Sequence, residues 1–135
     1  MNGYLKYVVE NCKTAFDELC RTNKELAIGM SPESNADVNR LGAFNRMIQD
    51  YLVIRVAGLF DKDTRTISFN TAFLKNQKVE SIEREEIVKK IIENRNRFVG
   101  HSERDYISDG NFAIPTNEIC NSNLKNLLEK LERLL

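Results

Sequence analysis

Ser81-Ile82-Glu83-Arg84-Glu85-Glu86-Ile87-Val88-Lys89-Lys90-Ile91-Ile92-Glu93-Asn94-Arg95-Asn96-Arg97-Phe98-Val99-Gly100-His101 is the stretch whose reading decides the fold. At about 100° per residue, Ile87, Val88, Ile91, Ile92, Phe98 and Val99 fall on one broad face, the signature of an amphipathic helix. Ser81 is the expected N-cap, and Glu83, Glu85 and Glu86 occupy the first turns, where the helix dipole favours acids. Arg95 lies near the middle of the apolar face. Arg97 lies away from it, one turn after Glu93, where an i,i+4 ion pair is available. A charge on an apolar face is costly unless it is paired or used. Arg95 therefore needs an explanation that Arg97 does not. His101, the only histidine, closes the stretch. If the helix continues past Gly100, His101 sits beside the edge of the same face; if Gly100 ends it, His101 can turn towards Arg95.

The same periodicity extends outward from this helix. Residues 4–28 read as a first helix, with Leu5, Val8, Cys12, Phe16 and Leu19 at helical spacing, stopped by Gly29 and the Ser31–Asn35 cluster. A second helix spans 36–60, with Leu41, Phe44, Ile48, Tyr51, Leu52, Val56 and Leu59 as its stripe. Val53, Ile54, Ala57 and Phe60 make its end apolar on other faces too, which suits a central position or an interface. Asp61–Arg65 is a polar turn. Ser68 caps a short helix at 69–76, with Phe69, Phe73 and Leu74 inward. Residues 102–116 form the longest loop, and Cys120, Leu124, Leu127, Leu131 and Leu134 give a seam-like stripe on a last helix over 117–135. No strand-like alternation of useful length occurs. The expected class is all-α, a bundle of four long helices plus a short one, in a single domain over 1–135.

A chain of 135 residues, 41% hydrophobic and 30% charged, can bury a core of its own without staples. Its formal net charge of zero argues against wrapping duplex nucleic acid through bulk electrostatics, while leaving a local basic site open. Cys12, Cys20 and Cys120 contain no C-x-x-C pair, so free thiols in a reducing cytosol are expected. No stretch approaches the roughly 20 apolar residues needed to span a bilayer, and the N-terminus lacks a signal-peptide core. A cytoplasmic protein without a membrane segment is the expectation. No G-x-x-x-x-G-K or G-x-G-x-x-G motif occurs, and one histidine with scattered cysteines makes no zinc set. No cofactor or metal is implied.

Arg55 repeats the oddity of Arg95, on the stripe of the second helix one turn from Tyr51, Leu52 and Leu59. A buried arginine is most often paired with a carboxylate or with helix carbonyls, and a histidine near a helix end is most often solvated or capping. Together, however, Arg and His are the pair that metal-free phosphodiester chemistry uses. Imidazole exchanges protons near neutral pH, and guanidinium matches phosphate oxygens with fixed donors.

Arg95-Asn96, followed after a short interval by His101, resembles the signature of the HEPN superfamily, in which an arginine, often followed by Asn, precedes a histidine by four to six residues. Tyr51-Leu52-Val53-Ile54-Arg55-Val56-Ala57-Gly58-Leu59-Phe60-Asp61, with Asp63, Arg65, Ile67 and Phe69 after it, looks like the corresponding helix and turn of the abortive-infection branch. The resemblance covers residues 36–105. It implies a helical bundle acting as a metal-independent endoribonuclease whose homodimer brings two Arg/His motifs into one cleft, of the kind used as toxins in toxin–antitoxin or phage-defence systems and restrained by an antitoxin or regulatory protein. On this resemblance Arg95 and His101 are catalytic: His101 moves the proton during attack of the RNA 2′-hydroxyl, and Arg95 stabilises charge on the phosphoryl oxygens. Asn96 positions the phosphate or fixes the histidine; Arg55, from its place on the second stripe, is the other candidate for substrate contact. Some HEPN toxins carry a tyrosine two residues after the histidine; here that position is Glu103, and the nearest tyrosine is Tyr106. Two other readings stand beside this one. One is a non-catalytic HEPN-like module that binds a ligand or partner. The other is a plain structural bundle in which an internal carboxylate satisfies Arg95.

Overall fold

The structure, a computed structural model, describes residues 2–29, 35–99 and 121–135. Every regular element among them is helical: α1 (Asn2–Gly29), α2 (Asn35–Gly58), α3 (Phe69–Ala72), α4 (Gln77–Glu83), α5 (Glu86–Asn94), a π-helical segment (Arg95–Val99) and α6 (Ser122–Arg133). The loop expected at 102–116, the helix start at 117, Cys120 and the Ser31–Ser34 stop signal lie outside the described residues.

α1 and α2 form an antiparallel pair that carries most of the core. Leu5, Val8, Val9, Cys12, Phe16 and Leu19 of α1, the positions expected from spacing plus Val9, are buried against Ile48, Leu52, Val53 and Val56 of α2. α6 packs on α1 and α5 through Leu124, Leu127, Leu128 and Leu131, all at most 1% exposed. Burying each such side chain favours the fold by roughly 1.5–3 kcal/mol before chain entropy is counted. The ion pairs along this seam, Lys13–Glu132 and Lys130–Glu85, are partly exposed and add little. α5 and the π-helical segment pack on α2. α2 is thereby held between α1 and the arginine-bearing helix end.

Four expectations are corrected. The continuous helix over 81–101 is broken into α4, α5 and the π-helical segment, so the bundle has fewer long helices than four among the described residues. Its first part starts earlier, because the Asn76 side chain accepts from Lys78 N (2.9 Å) and Val79 N (3.3 Å), leaving Ser81 inside α4 rather than at its cap. The break at Arg84–Glu85 follows from phase. A helix continuing from buried Ile82 would send Glu85, Glu86 and Lys89 inward, whereas restarting at Glu86 buries Val88 and Ile91. Leu74 does not pack inward but is 79% exposed, since Phe73, at φ −119° and ψ 68°, leaves helical geometry before it. Phe44 and Tyr51, placed on the inward stripe of α2 by spacing, lie outward at 43% and 38% exposure, and Val53 and Ala57 take inner positions.

The connector after α2 is tightly stitched. Ser68 caps α3 as expected, and its Oγ also donates to Asp61 O at 2.5 Å. Asn70 Nδ2 donates to Phe60 O at 2.8 Å, Thr71 Oγ1 to Thr66 O at 2.9 Å, and Phe69 N to Leu59 O at 2.8 Å. These bonds fix the Asp61–Ile67 turn against the end of α2.

Candidate anion-binding cleft

Arg95 marks the point where α5 passes into the π-helical segment. Widened turns of this kind are rare and recur at functional sites. Here the change of winding re-aims the side chains after Asn94, so a uniform 100° projection does not carry through to Phe98 and Val99. Val99 still packs against the core. Arg97 pairs with Glu93 at 3.0 Å, as the i,i+4 spacing predicts.

Arg95 and Arg55 reach the same cleft, of about 500 Å³. α1 supplies Tyr4 and Val8, α2 supplies Ile54, Arg55 and Gly58, the stitched turn supplies Asp61, Thr66 and Ile67, and Arg95 closes the remaining side. Arg55 and Arg95 are both partly exposed residues. Arg55 Nη2 donates to the Tyr4 hydroxyl at 3.4 Å. The Tyr4 phenol, more than Tyr51, raises the Arg55 pKa above its ordinary value, while burial acts the other way. Arg95 Nε donates to Asn96 Oδ1 at 3.0 Å. Among the described residues the ion pairs involve other cations, and no carboxylate pairs with either arginine. The one acid on the cleft, Asp61, spends its Oδ1 on Asp63 N at 2.9 Å. Among the described residues Arg55 meets no buried carboxylate; its polar neighbours there are the phenols of Tyr4 and Tyr51.

A cleft with two guanidiniums, a phenol hydroxyl and apolar walls is suited to an anion with several oxygen acceptors. Cys12 lies behind it, fully buried, and burial pushes its pKa up to about 11 while Arg55 acts in the opposite sense. That thiol stays protonated and is no nucleophile at neutral pH. A larger neighbouring cleft, of about 780 Å³, has Asn96 on its wall with Lys62 and Arg97. Lys62 pairs with Glu83 at 3.2 Å and Arg97 with Glu93; Arg84 and Lys89 also line this cleft, but so do three carboxylates, Glu80, Glu83 and Glu93, which makes the smaller cleft the better anion site. Asn96 belongs to that second cleft and reaches the first only through its bond to Arg95.

The structure thus brings Arg55 and Arg95 together and places Asn96 next door. His101 lies outside the described residues. Spacing did not identify Tyr4 or Thr66. The available signal for Tyr4 was a pair of tyrosines, Tyr4 and Tyr7, on the polar side of α1. Among the described residues there is no cluster of three His, Cys, Asp or Glu side chains able to hold a metal ion, and no helix is long and apolar enough to cross a membrane. No family model, curated protein or solved structure matches the chain.

Proposed function

We propose that the Arg55–Arg95 cleft binds a phosphate of RNA and that, with His101, it forms the site of a metal-independent endoribonuclease of HEPN type. The carrying observation is that two guanidiniums share one cleft without a carboxylate ion pair among the described residues. Arg95 is the closer to His101 in sequence and takes the charge that builds on the phosphoryl oxygens. Arg55, oriented by Tyr4, holds the phosphate in the ground state as well. His101 is the proton-transfer group, since an imidazole with an ordinary pKa near 6.5 exchanges protons at neutral pH. In the step itself the RNA 2′-oxygen forms a bond to phosphorus and the bond to the 5′-oxygen breaks. The 2′-hydroxyl proton leaves, one proton is delivered to the departing 5′-oxygen, and a cyclic phosphate and a 5′-hydroxyl remain. Asn96 positions Arg95 through its Oδ1. The setting that fits this chemistry is a cytoplasmic homodimer acting as a toxin or phage-defence component under an antitoxin or similar regulator.

The experiment is RNA cleavage without divalent metal, comparing wild type with His101→Ala and Arg95→Ala. Loss of cleavage in both, with unchanged circular dichroism, is the expected result, each loss amounting to about 10²-fold or more. Cleavage that persists in His101→Ala sinks the mechanism. A non-catalytic module that holds a phosphate-bearing ligand is the second reading, favoured by the paired tyrosines beside the cleft. It predicts binding without cleavage in wild type and His101→Ala, and weakened binding in Arg95→Ala.

A further inference from the structure

Three of the four tyrosines gather at one side of the Arg55–Arg95 cleft. Tyr4 lines it, and Tyr51 lies with Tyr4 beside Arg55. Tyr7 sets its ring against Tyr4, with centroids 6.4 Å apart and planes tilted by 36°. The period of α1 makes this pair, since residues three apart share a helix face. Both rings neighbour the core positions Leu5 and Val8 in sequence, yet Tyr4 and Tyr7 are 43% and 57% exposed. A single exposed aromatic is ordinary surface. An aromatic pair that reaches from solvent to a guanidinium is the arrangement that holds a nucleotide chain, cation to phosphate and ring to base. Tyr4 makes the connection. Its hydroxyl accepts from Arg55 Nη2 at 3.4 Å while its ring meets Tyr7. The outer ring and the guanidinium are thus one side chain apart, as a base and its phosphate are one sugar apart.

We infer that the Tyr4–Tyr7 pair is a stacking platform for an unpaired base of the RNA strand whose phosphate sits between Arg55 and Arg95, with Tyr7 as the outer ring that the base covers. In a duplex the faces of the bases are taken by their neighbours in the stack, so the platform admits only a single-stranded segment. The charge of the chain agrees. With a formal net charge of zero there is no bulk field to hold duplex phosphates, and affinity must come from a few local contacts. A phenol ring offers such a contact to any base, so the platform selects strand form rather than sequence. Both tyrosines lie on α1, outside residues 36–105 that carry the resemblance. The inference rests on the phosphate reading above and holds whether or not the bound strand is then cut.

Fluorescence anisotropy with labelled 2′-O-methyl oligoribonucleotides, which lack the attacking hydroxyl, tests it with three probes: a single strand, that strand annealed to its complement, and an abasic strand of equal length. Wild type is expected to bind the single strand about tenfold or more tightly than either of the others. Tyr7→Ala, with unchanged circular dichroism, is expected to bind the single strand about tenfold more weakly and the abasic strand as wild type does. Its salt dependence stays that of wild type, because no phosphate contact is lost. Arg95→Ala weakens binding of all three probes and flattens the salt dependence. Tyr7→Trp keeps a ring and the affinity. The chain has no tryptophan of its own, so this indole reports alone, quenched by the single strand and not by the abasic one. Single-strand binding unchanged in Tyr7→Ala, or a wild type that holds the duplex as tightly as the single strand, overturns the platform; the loss in Arg95→Ala then keeps the phosphate reading. Binding indifferent to both Arg55→Ala and Arg95→Ala overturns the phosphate reading itself. A wild type that binds none of the probes overturns both.

Discussion

The two ends of the α1–α2 pair handle polar groups in opposite ways. At one end Asn45 Nδ2 donates to Thr22 Oγ1 at 2.8 Å and to Asn23 Oδ1 at 2.7 Å, Gln49 Nε2 donates to Asn45 Oδ1 at 2.6 Å, and Thr22 Oγ1 donates to Leu19 O at 3.0 Å. This ladder is nearly closed on itself. Gln49 Oε1 is its one buried atom without a hydrogen-bond partner. At the other end Arg55 touches phenols and Arg95 an amide, and neither meets a carboxylate among the described residues. Buried polar groups that satisfy one another fix how two helices sit together. Cations left without counter-charge on an open cleft are available to a ligand. The first end is about register, the second about recognition.

The contrast can be broken by substitution. The largest effect is expected at the cleft: Arg55→Ala with Arg95→Ala lowers oligoribonucleotide affinity by about 100-fold or more, at roughly 1.5–3 kcal/mol for each charge-assisted contact. The urea midpoint moves little. Fluorescence anisotropy and a urea titration on the same preparation check the two halves of that statement. A large loss of stability with unchanged affinity would reverse the assignment of that end. Next comes the ladder. Asn45→Leu strips Gln49 of its partner inside the core and is expected to cost about 2–4 kcal/mol in urea unfolding while leaving the affinity of the folded protein unchanged. A cost under about 1 kcal/mol would mean that the ladder does not set register. The smallest effect is expected from Arg97→Ala, which removes a partly exposed pair with Glu93 and should change stability by about 1 kcal/mol at most. It sharpens the comparison by showing that a neighbouring arginine with a carboxylate partner is dispensable for the ligand.

Much of the fold was legible because apolar spacing is a direct image of burial. The α1 stripe from Leu5 to Leu19 and the α6 stripe from Leu124 to Leu131 lie inside as their periods require. α2 was harder. It is apolar nearly all round, so its phase is ambiguous from sequence, and Phe44 and Tyr51 were assigned to the wrong side. The break between α4 and α5 depends on two caps in competition, Asn76 against Ser81, and on which phase buries more. Local pattern does not settle such a contest. The π-helical segment at Arg95 has no sequence signature at all, since a turn of that width is set by packing against α2. At the cleft, the separation of Arg95 from Arg97 could be read from helical angle. The convergence of Arg55 with Arg95 could not, because it joins two helices through the turn at 61–67.

The hydrogen bonds that stitch that turn have a thermodynamic consequence. Ser68, Asn70 and Thr71 hold the carbonyls of Asp61, Phe60 and Thr66 before any ligand arrives, so the wall carrying Thr66 and Ile67 is ordered at the expense of folding rather than of association. A guest entering there is spared the entropy of ordering a loop. What remains to be immobilised is the two arginine side chains, and their freedom sets the entropic cost of capture.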